Sequence, residues 1–207
     1  MSKPRGSRTG WRERQERDPY VRRARSEGWR SRAFYKLEEI ERKEHILRPD
    51  IVCLDLGAAP GSWSQYAAAR SGGRARILAV DLLPMDTLPG VEFIQGDFTD
   101  TEIVDELRER LGDARADLVI SDMAPNISGN RAVDQPRAMN LADLALDCCR
   151  DVLKARGDFV CKLFQGQGFE AFVAEARTAF ERVRVMKPAA SRPGSREVYL
   201  VARNYQL

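Results

Sequence analysis

Four aspartates and a lysine stand at or near the ends of short apolar runs: Asp55, Asp81, Asp97, Asp122 and Lys162. Asp55 opens the stretch Asp55-Leu56-Gly57-Ala58-Ala59-Pro60-Gly61, whose small side chains let a ligand approach the backbone closely. A phosphate cradle would end in Gly-Lys-Ser/Thr and a dinucleotide fold would show G-x-G-x-x-G; neither pattern is present. Pro60 also removes an amide that a phosphate would need. The loop therefore suits an uncharged or zwitterionic ligand. Asp81 lies 20 residues after Gly61, the spacing at which an acid bonds the hydroxyls of a cofactor ribose. In Gly96-Asp97-Phe98, Asp97 could accept from an adenine amino group with Phe98 beside the ring. Taken singly, each acid has a plainer reading as a helix cap or turn residue, and for a lone Asp the cap is favoured. At three successive strand ends, Asp55, Asp81 and Asp97 together outline a site shaped for adenosine. Lys162, inside Phe159-Val160-Cys161-Lys162-Leu163-Phe164, is unusual because lysines are rarely buried without a partner. Its plain alternative is a side chain that snorkels to water.

These residues need a scaffold that carries strand ends to one edge. Apolar runs at 51–56, 75–81, 91–95, 116–121 and 157–163 read as strands, and 182–187 and 197–202 as two more. Between them, helical spacing marks Ser64–Arg70, a stripe through Ile103, Val104, Leu107 and Leu111, another through Leu141 to Leu153, and Phe169 to Phe180. A further amphipathic helix begins near Ser31 and is expected to stop near Arg48-Pro49. Such alternation predicts an α/β fold: a mainly parallel seven-stranded sheet with helices on both faces. The last two runs are joined only by the turn-rich KPAASRPGS, so they should pair as a hairpin, leaving one strand antiparallel to the rest.

The chain carries 34 Lys+Arg and 31 Asp+Glu, but they are unevenly spread. Residues 1–36 hold 12 basic and 4 acidic side chains, leaving 22 and 27 for the remainder. A basic segment on a mildly acidic domain fits a phosphate-bearing partner, although a solvated tail has the same composition. Trp11, Tyr20 and Trp29 among the arginines favour RNA, whose unpaired bases stack on aromatic rings. Residues 1–30 are read as a basic, partly disordered RNA-binding arm, and 31–207 as the folded domain. No apolar stretch is long enough for a membrane span, no secretory signal is visible, and a cytoplasmic monomer is expected. Cys53, Cys148, Cys149, Cys161 and the single histidine, His45, show no metal-ligand spacing, so no metal is expected.

Seven segments, SRAFYKL (31–37), DLGAAPGSWSQ (55–65), VDLLPM (80–85), GDF (96–98), SDMAPNISG (121–129), FVCKLFQG (159–166) and SRPGSREVYLV (191–201), resemble the FtsJ/RrmJ family of RNA ribose 2′-O-methyltransferases in order and spacing. The resemblance runs from about Ser31 to the carboxyl terminus. It implies a Rossmann-like methyltransferase fold, S-adenosylmethionine as donor with S-adenosylhomocysteine as product, and rRNA of the large ribosomal subunit as partner. It places Lys36, Asp122, Lys162 and Glu197 on the family's catalytic Lys-Asp-Lys-Glu set. Gly61, Trp63, Asp81, Asp97 and Asp122 fall on its cofactor contacts, joining the residue-based candidates Gly57, Ala58, Pro60 and Phe98. Ser62 stands where the family pattern has glycine, and its side chain threatens to crowd the methionine end of the cofactor. Rival readings are methylation of a tRNA anticodon loop or an mRNA cap, a non-catalytic ribosome-assembly factor, a dehydrogenase and a base methyltransferase. Against them stand the absence of a segment for a cap pocket, the intact catalytic set, the missing dinucleotide glycines and the lack of a Pro-Pro-aromatic motif.

Overall fold

The computed structural model describes residues 17–206. The expectation of a disordered start, and Trp11 with it, lies outside the described residues. Four parallel strands form as the apolar runs require: β1 (Val52–Leu56), β2 (Arg76–Asp81), β3 (Val91–Gln95) and β4 (Ala116–Ser121). They continue into β5 (Leu153–Phe164), β6 (Phe180–Met186) and β7 (Glu197–Tyr205) in the order β3-β2-β1-β4-β5-β7-β6. β7 runs antiparallel to both neighbours, and β6 and β7 form the expected hairpin.

Side chains alternate across the strands and so feed two cores. Leu54 and Leu56 point to the face covered by α4 (Thr101–Leu111), α5 (Arg131–Val152) and α6 (Phe169–Ala179). Cys53, Ile77, Leu118 and Ile120 point to the other face, against Leu37 and Ile40 of α2 (Phe34–Glu44) and Trp63 and Ala67 of α3 (Ser62–Arg70). A third, smaller cluster holds α1 (Pro19–Glu27) onto α2 through Ala24, Phe34, Tyr35 and Ala190.

Three of the expected elements differ in their bounds. α2 stops at Glu44 because His45 adopts a left-handed conformation (φ 50°) and its N–H bonds back to Glu41, four residues ahead of Pro49. α5 begins ten residues before its apolar stripe, capped by the Asn130 side chain on the Ala132 amide. β5 starts at Leu153, where an irregularity in pairing and a left-handed Arg156 (φ 64°) let four extra residues join the strand. No helix among the described residues is long and apolar enough to cross a membrane.

Candidate active site

The sheet brings β1, β2 and β4 side by side, so the segments leaving their carboxyl ends meet above one edge, where open α/β sheets bind ligands. After β1, the amides of Gly57 and Ala58 donate to the Val80 carbonyl at 2.9 and 3.1 Å, folding the turn onto the end of β2. Gly57 has φ +71°, and a Cβ there would lie 2.2 Å from Met123 Cγ. No other residue type satisfies both constraints without movement. Asp81 secures the same turn: its Oδ2 accepts from the Ala59 amide and its Oδ1 from the Leu83 amide, both at 2.8 Å. Each oxygen retains acceptor capacity toward the loops on either side, as a diol would require. Gly61 caps α3 in a left-handed conformation (φ 97°). The first amides of α3 beyond it lack intrahelical partners, as at any helix start.

Two side chains brace this turn in ways composition does not reveal. Arg30 donates from Nη1 to the Pro60 and Asp86 carbonyls at 2.8 Å and from Nη2 to Thr87 at 2.9 Å. It therefore clasps the turn after β1 to the loop after β2, instead of standing free in a basic arm. Ser62 turns away from the turn, its hydroxyl 2.7 Å from that of Ser31, so it ties α3 to the approach of α2. The Trp63 side chain is also turned inward, donating from Nε1 to the Ala33 carbonyl at 2.9 Å and leaving only its backbone toward the turn. Asp97 accepts from the amide and hydroxyl of Thr99 at 2.9 and 2.7 Å, the arrangement of a turn residue. Phe98 packs against the core face. Asp55 is fully buried, accepts from Ser64 Oγ at 2.6 Å, and is pushed up to about 7 by burial, with Asp122 and Asp81 adding to the shift.

On the other side of β4, four side chains from four elements converge. Lys36 projects from the first turn of α2, Asp122 follows β4, Lys162 lies on β5 and Glu197 opens β7. Lys162 Nζ donates to the Asp122 carbonyl at 2.6 Å and to Asp122 Oδ1 at 3.0 Å. Lys36 Nζ lies 2.9 Å from Glu197 Oε1 and 3.7 Å from Asp122 Oδ1. Both lysines are only 8% exposed, so their ion pairs are weakly screened. Burial raises the Asp122 pKa, but Lys162, Lys36 and the Tyr199 hydroxyl outweigh it and hold this carboxyl below its ordinary value. Tyr199 was not a candidate from sequence. It pairs across β5–β7 with Lys162, donates its hydroxyl to Asp122 Oδ1, and presents its ring 5.6 Å from Lys36 Nζ. Its only sequence signal was its place two residues after Glu197, on the same face of the strand. Ser191 donates to Glu197 Oε1 at 2.9 Å, fixing the fourth member.

The two aromatic residues of the basic segment that are described serve the fold. Trp29 stacks on Phe34 with centroids 3.7 Å apart, and Tyr20 packs at 5.4 Å on Tyr35. Among the described residues no group of three or more His, Cys, Asp or Glu is arranged to hold a metal ion.

A seven-stranded sheet of this order, with an antiparallel β7 and a glycine-bearing turn after β1, defines a Rossmann-like methyltransferase domain. The sequence model of the FtsJ-like methyltransferase family matches residues 29–205, and the chain belongs to that family. It is similar to the crystal structure of a Plasmodium falciparum protein assigned as a ribosomal RNA methyltransferase, with 30% identity and a TM-score of 0.78 over 86% of this chain and 98% of that one. Human methyltransferase-like protein 13, solved with S-adenosylhomocysteine, shares the fold at 17% identity and a TM-score of 0.53, covering 76% of this chain and 72% of that one. A Streptococcus thermophilus protein assigned as a hemolysin does so at 16% identity and 0.61, covering 86% and 68%.

Proposed function

We propose that this protein transfers a methyl group from S-adenosylmethionine to the 2′-hydroxyl of an RNA ribose, with a uridine of large-subunit rRNA as the target. The observation that carries the reading is the convergence of Lys36, Asp122, Lys162 and Glu197 from four separate elements. Membership of the FtsJ-like family, the likeness to the Plasmodium protein and the basic amino-terminal segment support it.

The residues at the ends of β1 and β2 fit the donor. A turn of small residues would admit it close to the backbone, Asp81 would accept from its diol, and the acids of this half match its net positive charge. When bound, S-adenosylmethionine supplies a methyl already activated on a sulfonium sulfur. The protein's task is then to align the ribose oxygen with that methyl and to handle one proton. Lys162 Nζ spends two hydrogens on Asp122, which leaves one position for the ribose oxygen. On a neutral amine that position is a lone pair that accepts the hydroxyl proton; on an ammonium it is a third hydrogen that orients the oxygen and stabilises its developing charge, and the hydroxyl proton leaves to water. In both cases the O–C bond forms as the S–C bond breaks. Asp122 holds Lys162, and Glu197 holds Lys36 beside it, where Lys36 can meet the target ribose or its phosphate.

The test is incubation with tritiated S-adenosylmethionine and separate pools of rRNA, ribosomal subunits and tRNA, followed by mapping of the label. Label on a ribose of large-subunit rRNA, lost in Lys162→Ala while donor binding persists, is expected. Label on tRNA alone would move the target but keep the reaction; label on a base would overturn the reaction itself.

A further inference from the structure

Beyond the catalytic set, away from the turn after β1, lies a groove of about 580 Å³. Its walls are the segment after β4, the first turns of α5, the end of β5 and the approach to β7. This volume is in the range of pockets that enclose small ligands. Its position is informative: Phe164 in its wall is two residues from Lys162, and Arg196 is the neighbour of Glu197. The groove thus shares β5 and the approach to β7 with the catalytic set.

The lining has three features. Arg131, Arg192 and Arg196 supply positive charge, whereas the one carboxylate among the described lining residues, Asp134, is engaged by the Ser128 amide, the Ser128 hydroxyl and the Gly129 amide at 2.8–3.0 Å. Ile127 and Phe164 supply apolar surface, and Ile127 is 62% exposed. Gln135 is 95% buried by its 5% exposure; its Nε2 donates to the Phe164 and Gln167 carbonyls, while its Oε1 has no partner among the described residues. Through these bonds Gln135 holds the start of α5 on the end of β5 and fixes the groove wall.

We infer that this groove seats the nucleotide flanking the target ribose, with its phosphate on Arg131 and Arg192 and its base against Phe164 and Ile127. The inference rests on the ribose-methylation reading. Charge assigns the occupant. The donor is a cation and meets acids at β1 and β2, whereas arginines beyond β5 and β7 select a polyanion. The groove also lies beside the start of α1, since Arg192 Nε is 4.0 Å from Asp18 Oδ2. A strand leaving it therefore meets the basic amino-terminal segment.

The experiment compares the full chain with Arg131→Ala/Arg192→Ala and with an equal-charge control, Arg48→Ala/Arg74→Ala, at the opposite ends of the strands. Binding of a fluorescein-labelled single-stranded RNA dodecamer is titrated across a salt series, and S-adenosylmethionine binding is measured calorimetrically. The groove variant should lose on the order of tenfold in RNA affinity and about 0.7 in salt slope per lost phosphate contact, with donor affinity unchanged. An unchanged slope, or an equal loss in the control, overturns the groove while RNA methylation by the wild type would keep the reaction standing. A wild type that neither binds nor methylates RNA overturns both.

Discussion

The two halves of the active edge are built from different bonds. Around the turn after β1, polar side chains are spent on backbone: Asp81 on the Ala59 and Leu83 amides, Arg30 on three carbonyls, Asp97 in part on the Thr99 amide. Around β5 and β7, side chains bond mainly to one another, with Asp122 contacting Lys162, Lys36 and Tyr199 at once. The first half is a surface whose shape is set by loops, each loop pinned separately. The second is a network of coupled charges mounted on regular elements. Substitutions should accordingly act independently in the first half and interact strongly in the second.

The sharpest way to break this comparison is Asp122→Asn. It leaves Lys162 and Lys36 buried with one shared counter-charge fewer, and loss of one partner of a buried pair costs about 3–5 kcal/mol. Methyl transfer should fall about 10²–10⁴-fold, the usual worth of a positioned proton-handling group. The double variant with Lys162→Ala should be scarcely worse than either single one, because both disable one unit. Additive losses in single-turnover kinetics would show that the network is a set of independent contacts.

Gly57→Ala probes the other half, with a smaller effect. The added methyl meets Met123 and the residue must hold φ +71°, so the turn shifts without any charge being touched. Donor affinity in calorimetric titrations should drop on the order of tenfold, a backbone misfit of about 1–3 kcal/mol.

How much of this division was legible beforehand follows the same line. The strand ends were readable because β1 to β4 are continuous apolar runs, and the antiparallel β7 because only a turn-rich link precedes it. The early start of α5 was hidden by a polar first turn and by Pro136, which argues against a helix until Asn130 is seen capping it. α1 carried its own signals, Asp18-Pro19 at one end and Gly28 at the other, but its basic composition drew the reading toward an arm. Arg30 and Tyr199 had no local signal of comparable weight. Their roles come from partners 30 to 77 residues distant, and no periodicity encodes that. The side-chain directions of Ser62 and Trp63 were hidden for a related reason: a motif names a position, whereas the direction of the side chain depends on what packs behind it.

Asp55 joins the halves, since it sits beneath the turn and feels Asp122. In the folded protein it keeps its proton up to about pH 7, whereas in an unfolded chain it loses it near pH ~4. Between these values the folded state binds more protons, so this group's contribution to stability falls as pH rises from about 4 to about 7 and is level above. Asp55→Asn removes the slope, and the melting temperature of the variant relative to wild type should therefore be higher at pH 8 than at pH 5. A difference of about 1 kcal/mol corresponds to about 2–4 °C for a chain of this size. Parallel melting curves at the two pH values would mean that Asp55 is ionised throughout.

The smallest expected effect separates the halves most cleanly. Arg30 belongs by sequence to the basic segment read as meeting RNA, yet its guanidinium bonds Pro60, Asp86 and Thr87 on the donor side. These bonds are solvent-exposed, so water replaces them at modest cost, of about 0.5–1.5 kcal/mol each at most. Arg30→Ala should therefore raise KM for S-adenosylmethionine several-fold, by loosening the two loops, while kcat and KM for RNA stay near wild type. Arg30→Lys should rescue little, because one ammonium cannot span three carbonyls as a planar guanidinium does. If KM for RNA rises and KM for the donor does not, Arg30 works on the phosphate backbone, and the boundary between a shape-set donor half and a charge-coupled substrate half must be redrawn to leave it out.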